Sequence, residues 1–519
     1  MQAPDHVIIG SGINGLVAAS LLALKGDRVL VLEREAQPGG CLRTEELAPG
    51  FLHDVMAATF VLFMTSPAGA ALGPHLARHG FDYCHTPHPT AVLRPNGQSV
   101  VLTMDRAANV AALDALAPGD GAAFAAAADG VAADAPFLFS LLGQRLWSWP
   151  IARLLLSQAR KRGLRGLAGW FGQQLDPMRG WLDTSFDSDA AKALFAPWAL
   201  HCGLTVENAY SGAMGRVIAF ALEAAGAPVM KGGAGQAARA FAALIAEKGG
   251  EVRCNADVDR ILVRNGRVTG IRLADGAEIA TRSVLASVAP GQLYSRLLDG
   301  VNLPEDRAAL GKFRHGRGNF QLHYALDGVP EWLTPGLDQV ALIHLAEGVD
   351  SVSKSSNEAE RGMLPVTPTI CVGQPSRLDP SRCPPGKAVL WLQIPDAPRL
   401  IKGDAASEIE GTDWDEVREA FADRIERILS RHIKGFDRLV LARRAYNPKD
   451  LERMNVNLVG GDPYGGHCAV DQFFLWRPFA QSTNGEGPVR GLIHIGASTH
   501  PGPGLGGGSG FNAAKRLGA

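Results

Sequence analysis

VIIGSGINGLVAASLLALKGDRVLVLEREAQPGGCLRT, residues 7–44, decides the fold. A short apolar strand from His6 to Ile9 breaks at Gly10-Ser11-Gly12-Ile13-Asn14-Gly15. A helix is expected over residues 16–24, then a Gly26-Asp27 turn and a second strand over residues 28–32, ending on Glu33. Strand, glycine turn, helix, strand and acid stand in the register that holds a dinucleotide. Gly10 permits the tight turn, Gly12 lets backbone approach a pyrophosphate, and Gly15 lets helix and strand pack closely. The helix N-terminus offers free N–H groups and partial positive charge to the phosphates. Glu33 is placed to accept hydrogen bonds from ribose hydroxyls. A bare glycine turn in an α/β protein is the alternative, and the strand, helix and acid in register count against it.

NAD and FAD share such a half-site, so the choice needs other residues. The last 29 residues, GLIHIGASTHPGPGLGGGSGFNAAKRLGA (491–519), give a strand, a loop without bulky side chains, and a helix from about Phe511. Such a loop lets backbone approach a flat or anionic ligand, and a helix N-terminus aimed at a flavin would stabilise the reduced ring. An NAD domain has no use for this second segment. The expected cofactor is FAD, with Gly10, Ser11, Gly12, Asn14, Gly15, Glu33, Arg34, Gly39, Gly40, Cys41, Arg43 and Thr44 at one end of the chain. At the other end stand Gly496, Ala497, Gly502, Gly504, Leu505, Gly506, Gly507 and Asn512.

These motifs resemble the FAD fingerprint of the phytoene desaturase and flavin amine oxidase superfamily. The loop His500-Pro501-Gly502-Pro503-Gly504 is similar to the C-terminal flavin motif of carotenoid desaturases. GGDPYGGHCAVDQFFLWRP (460–478) and PSRLDPSRCPPGKAVLWL (375–392) look most like its phytoene-dehydrogenase-related branch. Many relatives carry Arg or Lys after the double glycine, where this chain has Cys41, with Arg43 two residues on. The resemblance implies an α/β fold: a Rossmann-type, glutathione-reductase-like FAD-binding domain interleaved with a substrate domain of mixed sheet plus helices. It implies residues 1–70, 228–292 and 485–519 for the first, and 71–227 and 293–484 for the second. It also puts the backbone at Val258 against the adenine, residues 283–288 in the FAD domain as a strand, and residues 50–54 under the flavin. A hydrogen-bonded turn is the plainer reading of His53 and Asp54.

Composition limits the rest. With 519 residues, 46% of them hydrophobic, and 51 basic against 52 acidic side chains, the chain is long enough for two or more domains. The charge balance gives no reason to expect nucleic acid as a partner. Asp5 stands where a signal peptide would be basic. No apolar run reaches about 18 residues, so no spanning helix is expected; the longest, residues 55–64, is too short. Seven scattered cysteines without CxxC or zinc spacing read as reduced thiols, with no metal expected. The expected setting is cytoplasmic.

Residues 137–175 contain Arg145, Arg153, Arg160, Lys161, Arg162 and Arg165, no acid, and Trp147, Trp149 and Trp170. Peripheral contact with an anionic membrane surface is one reading, and an ordinary helix pair with a solvated basic face is the other. Residues 91–104 alternate around Asn96-Gly97, a hairpin signal. FQLHYAL alternates as a half-buried strand should; with residues 389–394 and 341–344 it completes a sheet roofing the flavin. Residues 351–361 read as a mobile polar loop, and 414–431 as an amphipathic helix. Gly232 to Gly235 open another helix, but no clear strand precedes them and no acid follows at the right distance, so a second nucleotide site is not expected.

The flavin carries the hydride chemistry. His500 is the one polar side chain singled out as catalytic, either assisting a proton transfer or only shaping its loop, the latter favoured. Three functions remain in order of preference. The first is a desaturase or dehydrogenase acting on carbon–carbon bonds of a hydrophobic, isoprenoid or lipid-like small molecule. The second is an amine oxidase, disfavoured because residues 485–499 offer no Phe, Tyr or Trp. The third is a flavoprotein-fold binding protein without turnover.

Overall fold

The computed structural model describes residues 3–482 and 485–519. Residues His6–Ile9 and Val29–Leu32 are neighbouring parallel strands joined by the helix Ile13–Lys25, which starts inside the glycine turn rather than after it. They form the centre of a five-stranded parallel sheet in the order Leu492–Ile495, Val284–Ser287, His6–Ile9, Val29–Leu32, Glu251–Arg253. The strands are apolar on both faces because helices cover one side and a second layer the other. The covering helices are Ile13–Lys25, Ala234–Glu247 and Gly508–Arg516; the second layer is an antiparallel sheet of Val258–Arg264, Arg267–Leu273 and Glu278–Ala280.

A second, seven-stranded mixed sheet has the order Val440–Tyr446, Gly318–Leu326, Ala388–Ala397, Ile370–Gly373, Leu342–Leu345, Thr90–Leu93, Ser99–Leu102. The hairpin at Asn96-Gly97 is present, and Gly97 takes the left-handed φ of 85° that the turn needs. Every residue of Gly318–Leu326 is buried, so the expected half-exposed strand is corrected. Phe320, Leu322 and Tyr324 pack with the helix Trp414–Leu429, while Asn319, Gln321 and His323 lie on the opposite, also covered, face.

Two further expectations change. Residues 351–361 are not a loop: Val349–Glu360 is a helix whose inward positions are Val349, Val352, Ser355, Ser356 and Ala359. Small and hydroxylated residues fill that face, so no apolar stripe marks it in the sequence, and Ser355 hydrogen-bonds the buried Asp396. Asp120–Leu142 is long and apolar enough, by length and composition, to cross a membrane. Alanines lift its hydropathy while Asp120, Asp129 and Asp134 break any continuous apolar run. In the fold it lies against the helix Ser211–Ala225 and buries Phe124, Ala128, Val131, Phe137 and Leu141.

The second glycine cluster explains itself through the donors it spends. Ala234 N donates to Asp54 Oδ1 (2.7 Å), Gly232 N to Asp379 Oδ2 (2.7 Å) and Gly235 N to Thr44 Oγ1 (2.9 Å). Fully buried Arg382 neutralises both carboxylates, at 2.9 Å from Asp54 and 3.0 Å from Asp379. The anion that a helix N-terminus attracts is supplied here by the protein itself. Replacing Arg382 by Met leaves two buried carboxylates without a cation and is expected to cost about 3 to 5 kcal/mol in chemical denaturation. A variant as stable as the wild type would show that backbone amides alone satisfy the pair.

Candidate flavin site and cavity

The first glycine turn spends Gly10 N on Leu32 O and Ser11 N on Glu33 but keeps open space at Gly12. Gly10 has φ 91°, and a Cβ there would lie 2.8 Å from Ser287 O. At Gly15 a Cβ would come within 2.2 Å of Gly10 O, so the helix rests on its own turn. At Gly12, by contrast, a Cβ would meet nothing within 4 Å. Ser11 is fully buried and ties the turn together: its N and Oγ donate to Glu33 Oε2 at 2.9 and 2.6 Å, and its Oγ accepts from Gly39 N at 3.0 Å. Glu33 is fixed at the end of its strand with its carboxylate on the cavity wall. The open side of Gly12 and this buried carboxylate fit the pyrophosphate and ribose of a dinucleotide.

A cavity of about 540 Å³ runs from this turn across the molecule. Gly10, Gly12, Asn14, Glu33, Arg34, Gly39, Gly40, Cys41, Arg43 and Val258 line it from the first segment and the small sheet. Gly496, Ala497, Gly502, Gly504, Leu505 and Gly506 line it from the C-terminal loop. The two ends of the chain are joined here: Gly496 N donates to Ser509 Oγ (2.8 Å), which donates to Asn14 Oδ1 (2.9 Å). Burial pushes the Cys41 thiol up to about 11, so it stays neutral, with Asn455 beside it. Arg43, the candidate substitute for a basic residue after the double glycine, is paired with Glu45 at 2.6 Å.

Six of the sequence-selected residues do not line the cavity. Ser11, Gly15 and Gly507 sit behind it, Gly507 against Val17. Thr44 joins the Asp54 network, donating to Asp54 Oδ1 at 2.7 Å. His500 and Asn512 face a separate small cleft with Arg145, His494, Thr499 and Arg516. Burial holds the His500 imidazole down at about 4, and its ring stands edge-on to Phe474, 5.6 Å between centroids. His53, expected beneath the flavin or in a turn, is buried against His323 (ring centroids 5.4 Å apart) and does not line the cavity either.

The far end of the cavity was missed by sequence reasoning. Its walls are Phe139 and Leu142 from one helix, Met214, Val217 and Ile218 from another, and His201, Tyr210, Asn319, Gln393, Tyr464 and Phe473. Tyr464 and Phe473 fall in the family-like stretch 460–478 and Phe139 and Leu142 in the basic segment 137–175, but neither stretch reads as a cavity wall. The one available signal was Asn319, Gln321 and His323 at period two opposite an apolar face. Among the described residues lining the cavity, Asp, Glu, Lys and Arg occur only as Glu33, Arg34, Glu35, Arg43, Asp257 and Arg296, and Arg43 is held by Glu45, which also accepts from the Tyr446 hydroxyl of the large sheet. Tyr210 and Phe473 stack on each other at 5.4 Å and 22°, and the Tyr210 hydroxyl donates to Cys468 O, so no slot separates the two rings.

Comparison with known proteins agrees with this architecture. The mouse pyridine nucleotide-disulfide oxidoreductase domain-containing protein 2 is 29% identical, aligned over 98% of this chain and 92% of its own. The neurosporene-forming phytoene desaturase of Rhodobacter capsulatus is 25% identical, over 96% and 90% respectively. The solved structure of a putrescine oxidase triple mutant shares the fold with a TM-score of 0.62 at 15% identity, over 99% of this chain and 98% of that one. Residues 13–454 match the family described as flavin containing amine oxidoreductase. The chain belongs to that family and is an FAD-dependent oxidoreductase.

Proposed function

We propose that this oxidoreductase removes hydrogen from a carbon–carbon bond of a hydrophobic isoprenoid or lipid-like substrate and passes the electrons to oxygen, a quinone or another diffusible acceptor. The observation that carries this is the far half of the cavity, walled by Phe139, Leu142, Met214, Val217 and Ile218 and free of Asp, Glu, Lys and Arg among its described lining residues. The name of the phytoene desaturase relative supports the same class. An amine oxidase reading is weaker, because among the described residues beside that apolar wall no carboxylate selects an ammonium, and the Tyr210–Phe473 rings are closed on each other.

FAD supplies the hydride-accepting chemistry when bound. On this reading Glu33 orients the ribose, the Gly12 backbone approaches the pyrophosphate, and Val258 flanks the adenine. The side-chain-poor loop 496–506 flanks the flavin, and the apolar wall excludes water. Residues 1–70, 228–292 and 485–519 then form the FAD-binding domain, and the remainder the substrate domain. His500, off the cavity and neutral, shapes the loop rather than moving a proton.

Substrate of this kind is stored in bilayers, and on this reading residues 137–175 meet one. The helix Trp149–Gln174, broken at Gly163, and the turn before it expose Trp147, Trp149, Leu156, Leu164 and Phe171, with Leu164 79% exposed. Trp170 is buried and Leu154 and Leu155 half-buried, so the apolar surface differs from the simplest sequence reading. Arg145 is paired with Glu486 and Arg162 with Asp134. Arg153, Arg160, Lys161 and Arg165 remain exposed, at about 1 kcal/mol each near an anionic surface. That sum supports reversible docking and no permanent anchor. The cavity reaches Phe139 and Leu142 on the helix leading into this segment, which supports entry from the same side.

Three outcomes are expected. Purified protein is yellow, whereas Gly12→Leu folds with an unchanged circular dichroism spectrum but is colourless. A Cβ there has no protein atom within 4 Å, so the added side chain grows into the space beside the turn. Under nitrogen, isoprenoid or acyl lipids bleach the bound flavin within seconds, while simple amines, NADH and NADPH do not; rapid bleaching by an amine or a nicotinamide would transfer the assignment. The protein floats with anionic vesicles at low salt, and changing Arg160, Lys161 and Arg165 to Glu abolishes flotation. Equal recovery on neutral and anionic vesicles, unaltered in the variant, would mean an ordinary solvated helix pair.

A further inference from the structure

Among the described residues lining the cavity, the seven-stranded sheet and the segment packed on it contribute uncharged polar side chains, His201, Asn319 and Gln393. His201, in the segment Ala196–Cys202, lines the cavity and meets His344 of the strand Leu342–Leu345 through their Nε2 atoms, 2.8 Å apart. The Trp198 ring lies 4.8 Å from each imidazole and fixes both planes. Burial holds His201 at about 4 and His344 well below its usual range, so both are neutral near pH 7. Two neutral imidazoles joined through one proton leave each ring a second nitrogen. His344 Nδ1 is sealed in the sheet without a partner, while His201 stands on the cavity wall.

Two amides stand on the same wall. Asn319 is 0% exposed, lines the cavity, and has neither its Oδ1 nor its Nδ2 bonded by a protein group. Gln393 lines the cavity from the neighbouring strand, directly across the ladder from Gln321, whose own amide is fully buried and unpartnered. Buried amides without partners are costly, and a row of them on a cavity wall is ordinarily matched by what the cavity takes. Tyr464 relates this wall to the C-terminal loop. Its hydroxyl donates to Leu200 O, next to His201, while the Gly465 that follows it packs on Ala497 and Ser498.

The geometry points to a substrate that is not a plain hydrocarbon: it carries an uncharged oxygen function, hydroxyl or carbonyl, that docks on His201, Asn319 and Gln393, with its apolar body along Phe139, Leu142, Met214, Val217 and Ile218. This rests on the reading of the cavity as the substrate site. His344 is a positioning residue, holding the His201 ring through the Nε2 contact. Cys371 lies across the ladder from His344, and the three ligand atoms fall within 4.8 Å of one another. The 2.8 Å spacing of the two nitrogens is that of a hydrogen bond and tighter than two ligands on one tetrahedral zinc, where bonds of about 2.0 to 2.1 Å set them further apart.

The test uses the flavin-loaded 519-residue chain and four 20-carbon isoprenoid probes of matched length: hydrocarbon, primary alcohol, carboxylic acid and primary amine. Binding is read twice, by the perturbation of the oxidised flavin spectrum and by quenching of tryptophan fluorescence. The alcohol is expected to bind at least tenfold tighter than the other three. His201→Phe and, separately, Gln393→Leu bring its affinity to within about threefold of the hydrocarbon's. Equal binding of hydrocarbon and alcohol, preference for the acid or amine, or an alcohol preference that survives both variants would overturn the proposal. So would one equivalent of tightly held transition metal that is lost in Cys371→Ser, which would make the cluster a metal centre. Failure of the flavin assignment itself is distinguishable: the protein would be colourless, while the tryptophan signal would still report the preference among the four probes.

Discussion

The structure depends on a contact between residues almost a full chain apart. Asn14, on the first turn of the first helix, accepts from the Ser509 hydroxyl at 2.9 Å, and a Cβ at Gly510 would lie 1.9 Å from Asn14 O. Two helix N-termini therefore meet backbone to backbone, which no residue larger than glycine at position 510 would allow. The hydroxyl that joins them also accepts from Gly496 N, so it fixes where the loop 496–506 leaves its strand. One wall of the cavity exists only once the last segment has returned to the first. Closing so long a loop is entropically tolerable because its cost grows only logarithmically with length.

Two of the chain's glycine-rich helix starts, 10–15 and 232–235, show what separates a ligand site from a structural turn. Composition does not separate them, since both have glycines before an alanine-rich helix. What differs is where the amides go. At 232–235 three of the four donors are taken by Asp54, Asp379 and Thr44 and the fourth, Gly233 N, by Met230 O, and a Cβ at Gly233 would run into Thr44 at 2.3 Å. At 10–15 the protein supplies Ser11 and Glu33 as a scaffold but leaves the Gly12 side facing open space. A helix N-terminus attracts an anion in either case; the fold provides the anion internally at one and leaves it to the cofactor at the other.

Sequence reading succeeded where local chemistry dictates local shape. The first turn, the Asn96-Gly97 hairpin and the strands flanking the nucleotide end each follow from a few adjacent residues. It failed where burial, which is set by distant segments, gives a pattern its meaning. Alternation in FQLHYAL defines a strand, but whether Asn319, Gln321 and His323 face water or a cavity depends on what covers that face. The helix Val349–Glu360 hides its inward side because serine and alanine suffice where space is tight. The basic run at 137–175 looks uniform in sequence, yet Glu486 and Asp134, from outside the run, neutralise two of its members. His201 and His344 are 143 residues apart, and nothing near either one predicts the pair.

A long apolar substrate presents an oxidase with a register problem. Hydrophobic contact is non-directional and scales with area, so sliding a chain by one carbon along an apolar wall changes the free energy little. Shape at the closed end of a cavity can limit the slide, but it cannot orient a group about the chain axis. Hydrogen bonds can, because they weaken steeply with angle and distance. A charged anchor would do this too, at the expense of desolvating the charge beside a flavin whose reduced form is itself anionic. Neutral imidazole and amide groups avoid that conflict. On the proposed reading, the apolar wall provides most of the affinity and His201, Asn319 and Gln393 choose which carbon–carbon bond lies at the flavin. The two kinds of wall are then complementary parts of one specificity, and removing the polar one should loosen the choice of bond before it weakens capture of the chain.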